Sequence, residues 1–294
     1  MLIAIRAFFT LLSSVHPSLA GRLGFRLFCT TFKPRKISAN HRAIIERAEQ
    51  QFKTAIKHGI AYSGGEIAAF EFLPKQQDKP KGCVWLVHGW QSHSYFMSKF
   101  VDPLLDQGYR VITLDLPGHG QSSGRTFHLA LAVKAMLAVR ERLGSFDSII
   151  SHSLGAAVAA TTLAGTIPDT PTLSASKLVL ISAPDSMRTI FDNFSSMVAL
   201  SKKANNALHK SVTTLTGRMT DDFSTGLQLK TVDCHLLLIH ATEDKEVSFS
   251  ESEAIAKLIP AATLSPAPGL GHRRIIGDDN VVEQAVAFVV DQSK

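Results

Sequence analysis

Short apolar runs alternate with helix-patterned stretches through most of this chain. Cys83–Val87, Val111–Leu114, Leu178–Ile181 and Leu236–Ile239 are almost continuously apolar, and Ser148–Ile150 leads into a turn at Ser153. Runs of this length, bounded by turn residues, read as strands buried on both faces. Between them, helical patterns extend from about Phe96 to Asp106, from about Thr126 to Leu143, and through the Ala-rich stretch Ala156–Ala160. Ile67–Leu73 reads as a further strand after a Ser63-Gly64-Gly65 turn, and residues 39–58 have helix-like composition. Alternation of this kind predicts an α/β fold, with a mostly parallel sheet covered by helices on both faces.

Two stretches break the rhythm. Residues 185–230 are longer than an ordinary crossover, polar and rich in Ser and Thr, with scattered Phe and Met. An insertion there sits above the carboxyl ends of the strands, where open α/β sheets bind ligands. It reads as a small, mostly helical lid; the alternative is a connection without function. The other exception is the N-terminus. Residues 2–15 are strongly apolar but interrupted by Arg6, and too short for a membrane span of about 20 residues. After His16-Pro17-Ser18, a second stretch places Arg22, Arg26 and Thr30 on one helical face. Two basic amphipathic helices could rest on an anionic membrane or pack on the catalytic domain. Ser18-Leu19-Ala20 also forms an acceptable signal-cleavage site, although the early positive charge lies inside the apolar run. The expected organisation is an N-terminal segment at 1–36, a core at 37–184 and 231–294, and a lid at 185–230.

Charge changes this picture only at the N-terminus. The net charge of +6 is carried by Arg6, Arg22, Arg26, Lys33, Arg35 and Lys36. Residues 1–36 contain no Asp or Glu, and the rest of the chain balances 25 basic against 25 acidic residues. The body therefore lacks the electrostatic footprint of a nucleic-acid binder. Cys29, Cys83 and Cys234 form no CxxC pair, and the histidines form neither HxH nor HExxH, so neither a metal nor another cofactor is expected. The cysteine usage and the lack of a convincing leader favour a cytoplasmic protein, peripheral to a membrane; export follows if residues 1–20 are a signal.

The chemistry concentrates in five short motifs. Ser151-His152-Ser153-Leu154-Gly155 lies between an apolar strand and a helix-forming run, the context a strained nucleophile turn requires. Its first position is Ser151 where glycine is usual, and Ser151 in place of Ser153 as nucleophile would put the following residues out of register. The others are His88-Gly89-Trp90, Asp115-Leu116-Pro117-Gly118-His119-Gly120-Gln121-Ser122, His240-Ala241-Thr242-Glu243-Asp244, and Gly269-Leu270-Gly271-His272. A serine hydroxyl needs an adjacent base, and the imidazole base needs a carboxylate on its other nitrogen.

Together these motifs resemble the α/β-hydrolase superfamily, in its serine esterase/lysophospholipase-like branch, over roughly residues 60–294. The resemblance implies Ser153 as nucleophile, His272 as base and Asp244 as the orienting acid. It implies an oxyanion hole from the backbone N–H groups of Trp90 and Leu154. Glu243 neighbours Asp244, and Asp185 occupies the acid position of some members; both remain alternatives. His88 and His119 are expected as loop organisers, Asp115 as the anchor of the Gly118–Gly120 turn, and His152 as filling a free position. His240 is expected to satisfy a local hydrogen bond. The implied reaction is cleavage of small-molecule or lipid-like carboxylic esters through an acyl-enzyme, with peripheral membrane contact through residues 1–36. The alternatives are a small-peptide serine peptidase and a non-catalytic binding module; no feature of the sequence sets an oligomeric state.

Overall fold

The computed structural model describes residues 1–32, 39–75 and 79–291. Positions 33–36 of the N-terminal segment, with 37–38, 76–78 and 292–294 of the core, lie outside the described residues. Three helices come first: α1 (Leu2–Val15), α2 (Pro17–Cys29) and α3 (Ala39–Phe52). Strands β1 (Ile56–Tyr62), β2 (Gly65–Phe72) and β3 (Cys83–Val87) follow, then a 3₁₀ turn at Ser94–Phe100, α4 (Val101–Asp106) and β4 (Arg110–Leu114). Next come α5 (Leu129–Leu143), β5 (Ser148–His152), α6 (Leu154–Leu163) and β6 (Lys177–Ile181). The insertion contains α7 (Met187–Met197), α8 (Lys202–Thr216), a 3₁₀ turn at Thr220–Phe223 and α9 (Thr225–Leu229). The chain ends with β7 (His235–His240), α10 (Phe249–Leu258), β8 (Thr263–Pro266), α11 (Gly271–Arg274), a 3₁₀ turn at Ile275–Gly277 and α12 (Asp279–Val290).

The strands form one sheet in the order β1-β2-β4-β3-β5-β6-β7-β8, antiparallel at β1-β2-β4 and parallel from β4 onward. Because successive strand residues point to opposite faces, each apolar strand supplies two cores. Trp85, Val87, Leu178, Leu180, Leu236 and Leu238 join the layer beneath α5 and α6. Val84, Leu86, Val179, Ile181, Leu237 and Ile239 join the opposite layer with α4 and α12. The α/β class and the two covered faces expected from the pattern are therefore present.

Two readings of the pattern need correction. The helix expected over 39–58 ends at Phe52, and residues 56–62 form β1. That strand buries only Ile60 and is held by its antiparallel pairing with β2 across the Tyr62–Gly65 hairpin. A long-range ladder thus decides a segment whose local composition is ambiguous. The stretch 96–106 is a 3₁₀ turn followed by a short helix rather than one helix. The edge strand β8 has no apolar run; pairing with β7 defines it, and its terminal Pro266 suits an edge.

Within the insertion, serines cap the helices. The Ser186, Ser201 and Ser224 hydroxyls accept the N–H groups of Thr189, Ala204 and Leu227. Both ends of the insertion are tied at one neck: Thr225 N–H donates to the Asp185 carbonyl at 2.7 Å, and Asp185 Oδ1 accepts from Gly226 N–H at 2.8 Å. The N-terminal helices pack against this insertion. Phe9, Ala20, Val198 and Ala204 share a small core bordered by Leu12, Leu23 and Leu200. At Gly21, an added Cβ would lie 2.2 Å from the Ala204 carbonyl oxygen, so α2 and α8 are in backbone contact there. Arg6 donates to the carbonyls of Ser196 and Met197 at 3.1 and 2.7 Å. Among the described residues, no helix is long and apolar enough to cross a membrane.

Candidate active site

The sheet brings the five motifs to the carboxyl ends of β3, β4, β5 and β7 and to the loop after β8. Ser153 sits between β5 and α6 with φ +53° and ψ −125°, a backbone conformation that non-glycine residues rarely adopt and that costs about 1–3 kcal/mol. Two contacts enforce this turn. Ser153 N–H donates to Ile181 O at 2.9 Å, and Gly155 passes so close to β3 that a Cβ would lie 2.5 Å from His88 O and 2.6 Å from Val87 O. Ser151 is tolerated because its hydroxyl points into the sheet and donates to Val179 O at 3.3 Å. It is fully buried and does not reach the cleft.

Ser153 Oγ lies 2.9 Å from His272 Nε2, and His272 Nδ1 lies 2.7 Å from Asp244 Oδ2. The three side chains expected to act together are therefore hydrogen-bonded in sequence. Asp244 Oδ1 accepts the N–H groups of Glu246 and Val247, both at 2.9 Å. Burial alone would raise the Asp244 pKa, but hydrogen bonds to His240, His272 and the Val247 N–H outweigh it and hold the carboxyl well below its ordinary value. An ionised acid facing Nδ1 fixes the Nδ1–H tautomer and leaves Nε2 free to accept a proton from Ser153.

The competing acids have other partners. Glu243 accepts Gly269 N–H at 2.8 Å and steadies the loop ahead of His272. Asp185 holds the neck of the insertion through Ser224 and Gly226. The thiols offer no rival nucleophile: burial pushes Cys29 and Cys83 up to about 12 and Cys234 up to about 11. Among the described residues, no group of three or more His, Cys, Asp or Glu could hold a metal ion.

The oxyanion candidates occupy facing elements. Leu154 is the first residue of α6, so its N–H has no intrahelical acceptor. Among the described residues, the Trp90 N–H has no hydrogen-bond acceptor either. The loop carrying Trp90 touches the elbow: a Cβ at Gly89 would lie 2.9 Å from Ser153 Cβ. Its shape is set by the loop organisers. His88 Nδ1–H donates to Gly89 O at 2.7 Å while Nε2 accepts Leu116 N–H at 3.0 Å. His119 Nε2 accepts Gln91 N–H at 3.0 Å, and Asp115 accepts from Ser94 and Gln121 N–H, both at 2.7 Å. His240 donates to Val247 O at 3.0 Å and stands 3.4 Å from Asp244 Oδ2.

Two contacts go beyond what the motifs indicate. His152 is not a free position: it is buried, and its Nε2–H donates to the His272 carbonyl at 2.8 Å. Burial, followed by the nearby His272 charge, lowers its pKa to about 3, so it stays neutral. The second is Phe28 of α2, whose ring stacks on Trp90 with centroids 5.7 Å apart and planes 10° from parallel. A lone His beside the nucleophile and a Phe in an amphipathic segment carry no local sign of either contact.

Residues 86–290, more than half of the chain, match the model of the α/β hydrolase family. The chain belongs to the α/β hydrolase family. Solved structures similar to this α/β hydrolase include Est1E from Butyrivibrio proteoclasticus with bound ferulic acid, at 17% identity and TM-score 0.64, covering 80% of this chain and 100% of that one. A membrane phospholipase A described as a bacterial virulence factor matches at 17% identity and TM-score 0.61, covering 87% and 93%. An esterase from Exiguobacterium antarcticum matches at 15% identity and TM-score 0.60, covering 80% and 100%. These likenesses show a shared α/β-hydrolase fold. No curated protein matches the chain by sequence.

Proposed function

We propose that this α/β hydrolase is a serine hydrolase that cleaves carboxylic esters through an acyl-enzyme. The observation that carries this reading is the hydrogen-bonded chain Ser153–His272–Asp244 at 2.9 and 2.7 Å. Ser153 Oγ attacks the ester carbonyl as His272 Nε2 takes its proton, and the developing oxyanion is stabilised by the N–H groups of Trp90 and Leu154. The tetrahedral intermediate expels the alcohol, which receives the proton from His272. Water, deprotonated by the same imidazole, then releases the acid and restores Ser153. The esterases and phospholipase among the structural neighbours are compatible with this reading.

The test is pre-steady-state hydrolysis of p-nitrophenyl acetate. An acyl-enzyme predicts a burst of p-nitrophenol matching the protein concentration, followed by slower turnover, and no burst in Ser153→Ala. Turnover by Ser153→Ala equal to that of the wild type would remove the reading.

The proposal extends to location: a cytoplasmic protein that rests on an anionic lipid surface through α1, with the insertion acting as a lid. The outer face of α1 leaves Leu2, Ile3, Phe8, Leu11 and Val15 exposed. Arg22, Arg26, Lys202, Lys203 and Lys210 lie exposed on the adjoining α2 and α8, and residues 1–32 carry no acid. Apolar insertion flanked by cations is the chemistry that anionic bilayers select. Ile3→Glu with Leu11→Glu should abolish cosedimentation with phosphatidylserine-containing vesicles while leaving the melting temperature unchanged. Undiminished sedimentation would refute the membrane contact.

A further inference from the structure

The last residues of α2 and those just after it are joined to the catalytic domain as a short strand would be. Cys29 O accepts Phe127 N–H at 2.8 Å and Thr31 N–H donates to Arg125 O at 3.0 Å, with Thr30 paired antiparallel to Thr126. Two side chains leave this bridge for the loops around the candidate catalytic centre. The buried Thr31 hydroxyl donates to Gly118 O at 2.8 Å. Gly118 belongs to the Asp115–Ser122 loop, whose His119 accepts Gln91 N–H at 3.0 Å. Phe28 lies face to face with the Trp90 indole, the planes 10° from parallel.

Both routes end on the loop that carries the candidate oxyanion donor, the Trp90 N–H. Gln91, the next residue, sits at φ +50°, where a side chain crowds the backbone. Its N–H is held by His119 Nε2, which is kept as an acceptor because His119 Nδ1–H donates to Pro117 O at 2.9 Å. The indole itself is boxed by rings: Phe127 and His119 meet it edge-on at 5.4 and 5.3 Å, and Phe28 covers a face. Any rotation of Trp90 out of that box turns its peptide as well. An oxyanion donor works only if it is aimed before the charge develops, since a hydrogen bond weakens steeply with misalignment.

We infer that residues 28–31 clamp the oxyanion loop, with Phe28 and Thr31 as positioning residues for the Trp90 N–H. The inference rests on the ester-hydrolase reading for its effect on rate, but not for the holding of the loop. Both residues precede the segment 86–290 that matches the family, so support for a loop inside the family core comes from outside it. The N-terminal helices are thereby coupled to catalysis as well as to the insertion.

Two readouts on the full chain test the clamp. One is hydrogen exchange by mass spectrometry of the peptide 88–92, with the elbow peptide 148–156 as reference. The other is p-nitrophenyl acetate kinetics together with inhibition by trifluoroacetophenone. In that adduct Ser153 Oγ bonds to the ketone carbon, the carbonyl π pair becomes the oxyanion, and the serine proton moves to His272. Phe28→Ala should speed exchange in 88–92 about tenfold and leave 148–156 unchanged. It should lower kcat by about tenfold to a hundredfold with KM little altered, less than outright loss of an oxyanion donor. The inhibition constant should rise by the factor that kcat/KM falls, while the pH profile stays in place because the triad is untouched. Phe28→Tyr keeps the ring plane and should restore both readouts. Thr31→Val removes only the hydroxyl and should act in the same direction by about threefold to tenfold; if Phe28→Ala does not fold, this variant decides. Faster exchange in 88–92 of a protein that turns over no ester would uphold the clamp and remove the ester-hydrolase reading. Ester turnover unmoved by these variants, or exchange raised equally in both peptides, would overturn the clamp and leave that reading intact.

Discussion

Replacing Asp244 with asparagine isolates the contribution of one buried carboxylate. Asp244 Oδ1 is committed to two backbone N–H groups, so the amide oxygen of the substituted side chain must take that place. The NH₂ group then occupies the site of Oδ2 and presents a donor to His272 Nδ1. This forces the imidazole into its Nε2–H tautomer, in which Nε2 donates to Ser153 Oγ and can accept no proton. Wrong-tautomer substitutions of this type cost about 10⁴ in kcat, or about 5.4 kcal/mol of transition-state stabilisation. Burst kinetics on p-nitrophenyl acetate measure the acylation rate directly. The same variant has a pH signature. A carboxyl held below its ordinary pKa stabilises the fold fully above about pH 4, and that stabilisation is lost as pH falls further. Thermal melts should therefore fall more steeply below about pH 4 for the wild type than for Asp244→Asn. An acylation rate within about tenfold of the wild type would refute the role of Asp244 and return attention to Asp185, as tautomer reversal leaves no room for so small an effect.

Other parts of the account can be checked independently. His152→Phe removes the donor to the His272 carbonyl and should lower kcat about tenfold with little change in KM, consistent with loss of one buried hydrogen bond; an unchanged kcat would make His152 a packing residue. Gly155→Ala would push a methyl against the carbonyls of His88 and Val87 and should cost about 1–3 kcal/mol, seen as a lower urea midpoint. An unshifted midpoint would mean that the elbow is looser than its contacts imply. Gly21→Val should separate α2 from α8 and lower the melting temperature, while the exposed change Arg22→Ala should not. Equal melts for both would contradict close docking of the N-terminal helices.

The legible parts of the molecule were those written in local pattern. The parallel strands read directly from the sequence because each is apolar on both faces, as Leu178–Ile181 and Leu236–Ile239 illustrate. Ser153, Asp244 and His272 could be named because each belongs to a short motif of the α/β-hydrolase resemblance, and the fold brings them within hydrogen-bonding distance. What escaped was set by long-range contact. Strand β1 depends on pairing with β2, and its single buried side chain leaves almost no periodic trace. The partner of His152 lies 120 residues away, and nothing beside it distinguishes a structural imidazole from an idle one. The amphipathic character of residues 2–30 correctly indicated a helix pair, yet left its apolar faces unassigned. The structure divides them: Phe9, Ala20 and Leu23 pack toward the insertion, whereas Ile3, Phe8 and Leu11 face outward.

The most direct test of the central claim is labelling of the full-length protein with a fluorophosphonate probe, followed by mapping of the modified residue by mass spectrometry. Such probes phosphonylate a serine whose hydroxyl is activated by a neighbouring base. The account predicts stoichiometric modification at Ser153, lost in both Ser153→Ala and His272→Ala. Modification of a different serine, or unlabelled Ser153 in folded wild-type protein, would contradict it.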